Sequence, residues 1–313
     1  MVDLKLQIDP SFYEEEVRCD YTVSEEMKKV WAVELDLVAE FQRVCEKYGL
    51  QYFADGGTML GTVRHKGFIP WDDDIDLMMM RDQYDKLCEV AQTEFKDPYF
   101  FQTEYTDPSS LRGHAQLRNS DTTGISKAEM EGVHKFNQGM FIDIFPVDAV
   151  PDDDALLEKM LKNIARNLLT ARKLAAISDV YSPAPKKKVF RNAVKKTLYT
   201  IFSGPGRRFI DYDKYYDWYE KECRKYNSLK TKRVAKYFFV PFMRSQIWMR
   251  EDFDSSIPMQ FEMLELPVPV GYKRIMDTFF GKDWMTPKKV ATTHFGVFYD
   301  VNKSYRDYLE EKK

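Results

Sequence analysis

The stretch "YFADGGTMLGTVRHKGFIPWDDDIDLMMM" (residues 52–80) places Asp72, Asp73, Asp74 and Asp76 beside Trp71 and a run of methionines. Gathered carboxylates repel one another, and in partly buried surroundings they are costly unless a cation stands among them. If "DIDLMMM" is a strand, alternate side chains share a face. Asp74 and Asp76 then point the same way, ~7 Å apart, with Ile75 and Leu77 in the core and Asp73 turned elsewhere. Hard oxygen ligands of this kind suit Mg²⁺ or Mn²⁺, and Asp72 is placed to join them. A calcium loop of the EF-hand type is excluded, because its required glycine and closing glutamate would fall on Leu77 and Gln83. A solvated acidic loop fits poorly with the Pro70-Trp71 and methionine flanks.

Upstream, Gly56-Gly57-Thr58 forms a turn into a short helical segment. Paired glycines let backbone N–H groups approach an anion, and a helix N-terminus favours negative charge. Alone such a turn is commonplace; facing an Asp-x-Asp strand it reads as a phosphate cradle opposite a metal site, an arrangement for phosphoryl chemistry. Arg64, between the two motifs, is either a neutraliser of phosphate charge or an exposed surface arginine. A third carboxylate is expected to complete the metal shell or to take a proton. Asp143 fits, as the lone acid in the apolar run "MFIDIF". Asp148 lies beyond Pro146, which is expected to end that strand, and reads as a turn or cap residue.

The elements that must hold these groups are legible in outline. Ser24 reads as an N-cap, and Val30, Val33, Leu37, Phe41 and Val44 recur at helical spacing up to Tyr48, with Gly49 as the stop. "LQYFAD" and "DIDLMMM" read as strands, residues 81–95 as an amphipathic helix, and "GMFIDIFPVD" as a third strand. Residues 152–177 are helical, with an acidic first turn, and 211–226 form another helix. The tail "MQFEMLELPVPVGYKRIMDTFFGKDWMTP" reads as strand, turn and short helix. The expected class is α+β (mixed α/β).

The 313 residues are 44% hydrophobic and 15% aromatic, as a folded globule requires. A net charge of −3 gives no whole-molecule case for nucleic acid or membranes. The N-terminus lacks the layout of a secretory signal, and no apolar run reaches the ~18 residues needed to span a bilayer. Cys19, Cys45, Cys88 and Cys223 form no CxxC pair. The expectation is a cytoplasmic protein with reduced thiols. Residues 186–208 carry eight Lys and Arg and no acid. They suit peripheral contact with an anionic inner membrane face, a solvated helix face or an acceptor groove.

The stretch 52–87, with "FIDIFPVD" and "LPVPVGYKRIMDTFFGKDWM", resembles the LicD family of phosphorylcholine transferases and is similar to the catalytic domains of fukutin and fukutin-related protein. The resemblance runs from about Lys29 to His294 and is weakest over 152–235. It implies a single catalytic domain (1–313) with a nucleotidyltransferase fold of the DNA polymerase β type. Its parts are a core (24–150), a partly basic helical insertion (151–235) and a C-terminal part completing the site (236–313).

By the same resemblance, Gly56, Gly57 and Thr58 contact phosphate; Asp74, Asp76, Asp143 and Asp72 hold Mg²⁺ or Mn²⁺; and Arg118 and Thr122-Thr123 lie near a diphosphate. His294 matches a family histidine, with a structural role equally open. The implied reaction moves phosphocholine from CDP-choline to a sugar hydroxyl of a lipid-linked cell-surface glycan of the teichoic acid or lipopolysaccharide type, releasing CMP. Transfer of another CDP-linked alcohol, such as a polyol or ethanolamine, transfer of a nucleotide, and non-catalytic binding stay open. A choline group calls for an aromatic box; Trp71, Tyr105, Phe141, Trp248, Tyr272 and Trp284 are candidates, and the sequence does not choose among them.

Overall fold

Helix α1 (Glu25–Tyr48) begins and ends where its sequence says it should. The Ser24 hydroxyl accepts the Met27 amide at 3.3 Å, and Gly49 closes the helix at φ 59°. In this computed structural model the described residues are 1–126, 129–130, 136–178, 212–237, 244–288 and 296–311. The basic stretch 186–208 and His294 lie outside them. The expected stripe of α1 is buried, and Trp31 on the same helix stacks flat on Phe68 at 4.5 Å.

Before α1 comes a short hairpin of β1 (Glu16–Arg18) and β2 (Tyr21–Val23). After it the chain runs through β3 (Phe53–Ala54), α2 (Gly56–His65), β4 (Asp76–Met80) and α3 (Arg81–Glu94). Next come β5 (Tyr99–Gln102), β6 (Ala115–Asn119), β7 (Thr123–Ser126) and the long β8 (Met140–Val150). Helices α4 (Asp154–Ser178) and α5 (Tyr212–Cys223) precede β9 (Arg233–Ala235) and β10 (Ile247–Met249). The chain continues with the hairpin of β11 (Ser256–Phe261) and β12 (Leu264–Pro269), then α6 (Tyr272–Phe280). It closes with β13 (Val297–Asp300), which pairs with β7, and α7 (Tyr305–Glu311).

Strand β8 is the spine of a mixed sheet. Strand β4 runs parallel to it on one side; on the other, β6 and then β9 pair antiparallel with its two halves. This topology corrects three expectations. Pro146 does not end the strand. The Asp143 amide donates to Ile75 O on the β4 side, so even-numbered residues of β8 direct their N–H groups the other way. On that side the β6 pairing stops at Ile144 and the β9 pairing starts at Asp148, so a residue without an N–H falls in a gap. Asp148 is therefore not a cap. It is 1% exposed inside the strand and takes a two-pronged ion pair from Arg81 at 2.7 and 2.8 Å.

The third correction concerns Asp74. Strand β4 opens at Asp76, so Asp74 and Ile75 belong to the irregular segment leading into it. Likewise Gly56 and Gly57 are not a separate turn but the first turn of α2, capped by Asp55.

Two apolar clusters form among the described residues. The larger unites α1, β3, β4, β6, β8 and the β11–β12 hairpin. The smaller packs α4 (Leu157, Met160, Ile164, Leu168) against α5 (Tyr216, Tyr219, Cys223). Arg81 joins them, reaching Asp148 in the sheet and Glu220 on α5 at 3.1 Å. Elements and layers are α+β, and among the described residues no helix is long and apolar enough to cross a membrane.

Candidate active site

The acid loop is held through its backbone. The Asp72 amide donates to Ile69 O, the Trp31 indole N–H donates to Asp72 O, and the Tyr299 hydroxyl donates to Asp73 O, each at 2.9 Å. Helix α1 and strand β13 thus clamp the segment from two sides. Carboxylate oxygens of Asp72, Asp73 and Asp74 come within 4.8 Å of one another. Asp73 therefore does not point elsewhere, as strand alternation predicted; outside a strand that alternation has no force.

Asp76 and Asp143 meet by register. They lie directly across from each other on parallel strands β4 and β8. The Thr58 hydroxyl accepts the Asp76 amide at 2.8 Å, so the start of α2 fixes the start of β4. The glycines make this junction possible. A Cβ on Gly57 would sit 2.7 Å from Asp72 Oδ2, and one on Gly56 3.3 Å from Asp76 Oδ2. Gly56 also adopts φ +47°, which favours glycine. The close approach that the two glycines permit is thus to the carboxylates themselves, and turn and acids form one assembly.

Asp143 has its own supports. Gln116, opposite it on β6, donates to its Oδ1 at 2.6 Å, and His114 Nε2 lies 3.1 Å from the same oxygen. Burial works against the charge, but His114 and Gln116 together hold this carboxyl below its usual value. Gln116 is gripped in turn by Arg118, which also donates to Gln102 at 2.6 Å. Next to Asp76, Lys236 pairs with Asp55 and lies 4.1 Å over the Phe145 ring.

The electrostatics favour a cation. Burial, then Asp72 and Asp76, push the Asp74 carboxyl well above its usual value. Burial and Asp143 do the same to Asp76, with Lys236 partly opposing. Glu34, from the middle of α1, is 1% exposed, and its Oε2 has no hydrogen-bond partner among the described residues. Burial followed by Asp73, Asp72, Asp143 and Asp76 raises its carboxyl strongly. An orphaned buried oxygen beside mutually repelling oxygen donors fits a hard divalent ion such as Mg²⁺ or Mn²⁺.

The surroundings of the other expected site residues differ. Arg64 sits at the far end of α2, ~12 Å along the helix from Gly56, and donates to Trp284 O at 2.6 Å. Arg118 is 1% exposed, so its guanidinium faces the sheet interior and bears on Asp143 through Gln116. Thr122 is fully buried, donating to Asn119 O at 2.7 Å and accepting from Met140 N at 2.9 Å; Thr123 donates to Lys303 O. Among the aromatics, Trp248 is buried against Phe253, Tyr105 donates to Asp217, and Phe141 packs on Arg118. Tyr272 meets Trp284 edge-on at 6.4 Å, and Trp71, next to the acid loop, meets Tyr21 edge-on at 6.0 Å.

Sequence reasoning passed over Glu34, His114, Gln116, Lys236 and Tyr299. Glu34 left a readable signal: it falls four residues after Val30 and three before Leu37, on the buried stripe of an amphipathic helix. The others converge only through strand pairing and long-range packing.

Residues 49–163, which include the glycine turn, the acid loop and Asp143, match the family described as LicD/FKTN/FKRP, nucleotidyltransferase domain. The chain is 27% identical over 251 residues to the lipopolysaccharide cholinephosphotransferase LicD of Haemophilus influenzae, covering 80% of this chain and 88% of that one. An uncharacterized protein of Rickettsia prowazekii is 34% identical over 70 residues, 22% of this chain and 24% of its own. One of Rickettsia typhi is 37% identical over 62 residues, 20% and 19% respectively. Residues 49–163 of this chain are therefore a LicD-family domain.

Proposed function

We propose that this protein is a metal-dependent phosphotransferase that moves phosphocholine from CDP-choline to a sugar hydroxyl of a cell-surface glycan and releases CMP. The observation that carries the reading is the convergence of Asp72, Asp73, Asp74, Asp76 and Asp143 at the N-terminus of α2, within a LicD-family domain. The named relative is a lipopolysaccharide cholinephosphotransferase. The reading includes a nucleotidyltransferase fold of the DNA polymerase β type, with β4 and β8 as its carboxylate-bearing strands.

A bound divalent cation supplies charge neutralisation for the donor diphosphate and the departing CMP. Asp72, Asp73, Asp74, Asp76 and Asp143 are the residues that would hold it. The acceptor oxygen forms a bond to the choline-bearing phosphorus. The bond from that phosphorus to the bridging oxygen breaks, and its electron pair leaves with CMP. Asp143, anionic and fixed by His114 and Gln116, orients the hydroxyl and takes its proton. Gly56 and Gly57 open α2 toward the donor, where helix N–H groups favour phosphate. Lys236 adds a buried positive charge beside Asp55 and Asp76. The acceptor is read as lipid-linked and presented at the inner membrane face.

Incubation with Mg²⁺, a panel of CDP-alcohols and candidate glycans tests the substrate assignment by CMP release. CDP-choline is expected to be the preferred donor, with release stimulated by the acceptor and abolished by Asp74→Asn. Preference for a CDP-polyol, or pyrophosphate release from CTP, overturns it.

A further inference from the structure

Helix α1 carries several buried acids, and the structure accounts for all but one. Asp36 accepts the Leu6 amide at 2.8 Å and the Tyr99 hydroxyl at 2.7 Å. Glu40 takes two bonds from Arg43. Glu34, more deeply buried than Glu40, leaves Oε2 without a hydrogen bond among the described residues. Its placement is not incidental to the site. Trp31 lies three residues earlier on the same helix face and donates to Asp72 O, so the face that pins the acid loop also presents Glu34 to it. The charged groups that act most on Glu34 are Asp73, Asp72, Asp143 and Asp76. Tyr299, which donates to Asp73 O, has its phenol pushed upward by burial and then by Glu34 and Asp73.

Glu34 is not one of the three acids whose oxygens close within 4.8 Å of one another, and it comes from α1 rather than from the loop and paired strands that carry the aspartates. A small divalent ion keeps several of its waters, and those waters need fixed acceptors. We propose that Glu34 is an outer carboxylate of the cation site, accepting hydrogen bonds from water on a divalent ion held by the aspartates. This rests on the metal-dependent reading above and adds a positioning residue from α1, outside residues 49–163, to it. Helix α1 then fixes the ion through its water and the loop through the Trp31 indole, so that position and hydration are set by one rigid element.

The test is an EPR titration with Mn²⁺, paired with thermal unfolding in EDTA and with water-proton relaxation of the bound ion. Glu34→Gln is expected to weaken Mn²⁺ binding by roughly 10- to 100-fold. It should change the relaxation per bound ion and leave the metal-free unfolding midpoint equal to or above wild type. Unchanged Mn²⁺ affinity overturns the proposal, and a lowered midpoint with unchanged affinity marks a purely structural carboxylate. Should Glu34→Gln fail to fold, Glu34→Asp keeps the charge and shortens the reach. A smaller but measurable weakening is expected there, and unaltered affinity overturns the proposal equally. Wild-type protein that binds no Mn²⁺ removes the metal reading itself; wild type and variants that bind alike remove only the role of Glu34.

Discussion

Substituting Gly57 with alanine separates the fold from the site. Gly57 is the second residue of α2 and needs no positive φ; only Gly56, at +47°, does. Alanine in a helix is favoured over glycine by up to ~1 kcal/mol, so the backbone accepts Gly57→Ala and gains from it. The new methyl group, however, would sit 2.7 Å from Asp72 Oδ2, and ordinary contact begins at 3.4 Å. The carboxylate must swing away by about 0.7 Å, which as the tip of a side chain it can do without disturbing the loop backbone. A displacement near 1 Å at a reacting centre costs up to ~10²-fold, so turnover is expected to fall roughly 10-fold or more. Three measurements are compared with wild type: CMP release, Mn²⁺ affinity and the metal-free unfolding midpoint. The expected pattern is weaker binding and slower turnover at equal or higher stability. Full activity at unchanged stability would show that Asp72 has no part in the working site. A loss of several kcal/mol of stability would show that Asp72 cannot give way, and the reasoning fails there too. Gly56→Ala is the contrast, destabilising by ~1–2 kcal/mol because the left-handed backbone is strained by a Cβ.

Three further outcomes follow from the same geometry. Arg81→Ala strands the buried Asp148 and is expected to cost ~3–5 kcal/mol in urea unfolding; a loss below ~1 kcal/mol would mean that the pair is not holding the two clusters together. Thr58→Val removes the acceptor for the Asp76 amide, costing ~1–3 kcal/mol and slowing CMP release, whereas wild-type turnover would release Thr58 from a positioning role. The pH dependence has a definite sign. Glu34, Asp74 and Asp76 have folded values raised above the unfolded ones. Their contribution is therefore fully present below the usual carboxylate range, about pH 4, and is lost as pH rises through the raised values. In EDTA, the stability of Asp74→Asn relative to wild type should grow as pH rises from about 4 to about 8, and a constant or shrinking difference in thermal unfolding would contradict the assignment.

What was legible in the sequence was local. Ser24, the apolar stripe and Gly49 define α1 within one stretch of chain, and caps and periodicity act at that range. Asp143 stands out in the sequence because a lone acid in an apolar strand demands a partner, and the sheet puts it opposite Asp76. What was not legible depends on neighbours distant in sequence. Pro146 looks like a strand end until the gap between β6 and β9 is known. Asp148 looks like a cap until Arg81 arrives from α3. Alternation along "DIDLMMM" assumed a strand from Asp74 onward, whereas the Trp31 and Tyr299 contacts hold residues 72 and 73 in an irregular loop that turns three carboxylates together. Glu34 was readable from helix periodicity, yet its meaning came only from what faces it.

The central claim is that this acid-lined site transfers phosphocholine with the help of a divalent ion. ³¹P NMR of the protein with CDP-choline and a lipopolysaccharide or teichoic acid acceptor tests it most directly. A new phosphodiester on the glycan and stoichiometric CMP are expected in the presence of Mg²⁺, and neither in EDTA or with Asp76→Asn. Phosphodiester formation that persists at the same rate in EDTA, or CDP-choline left intact with every acceptor, would contradict it.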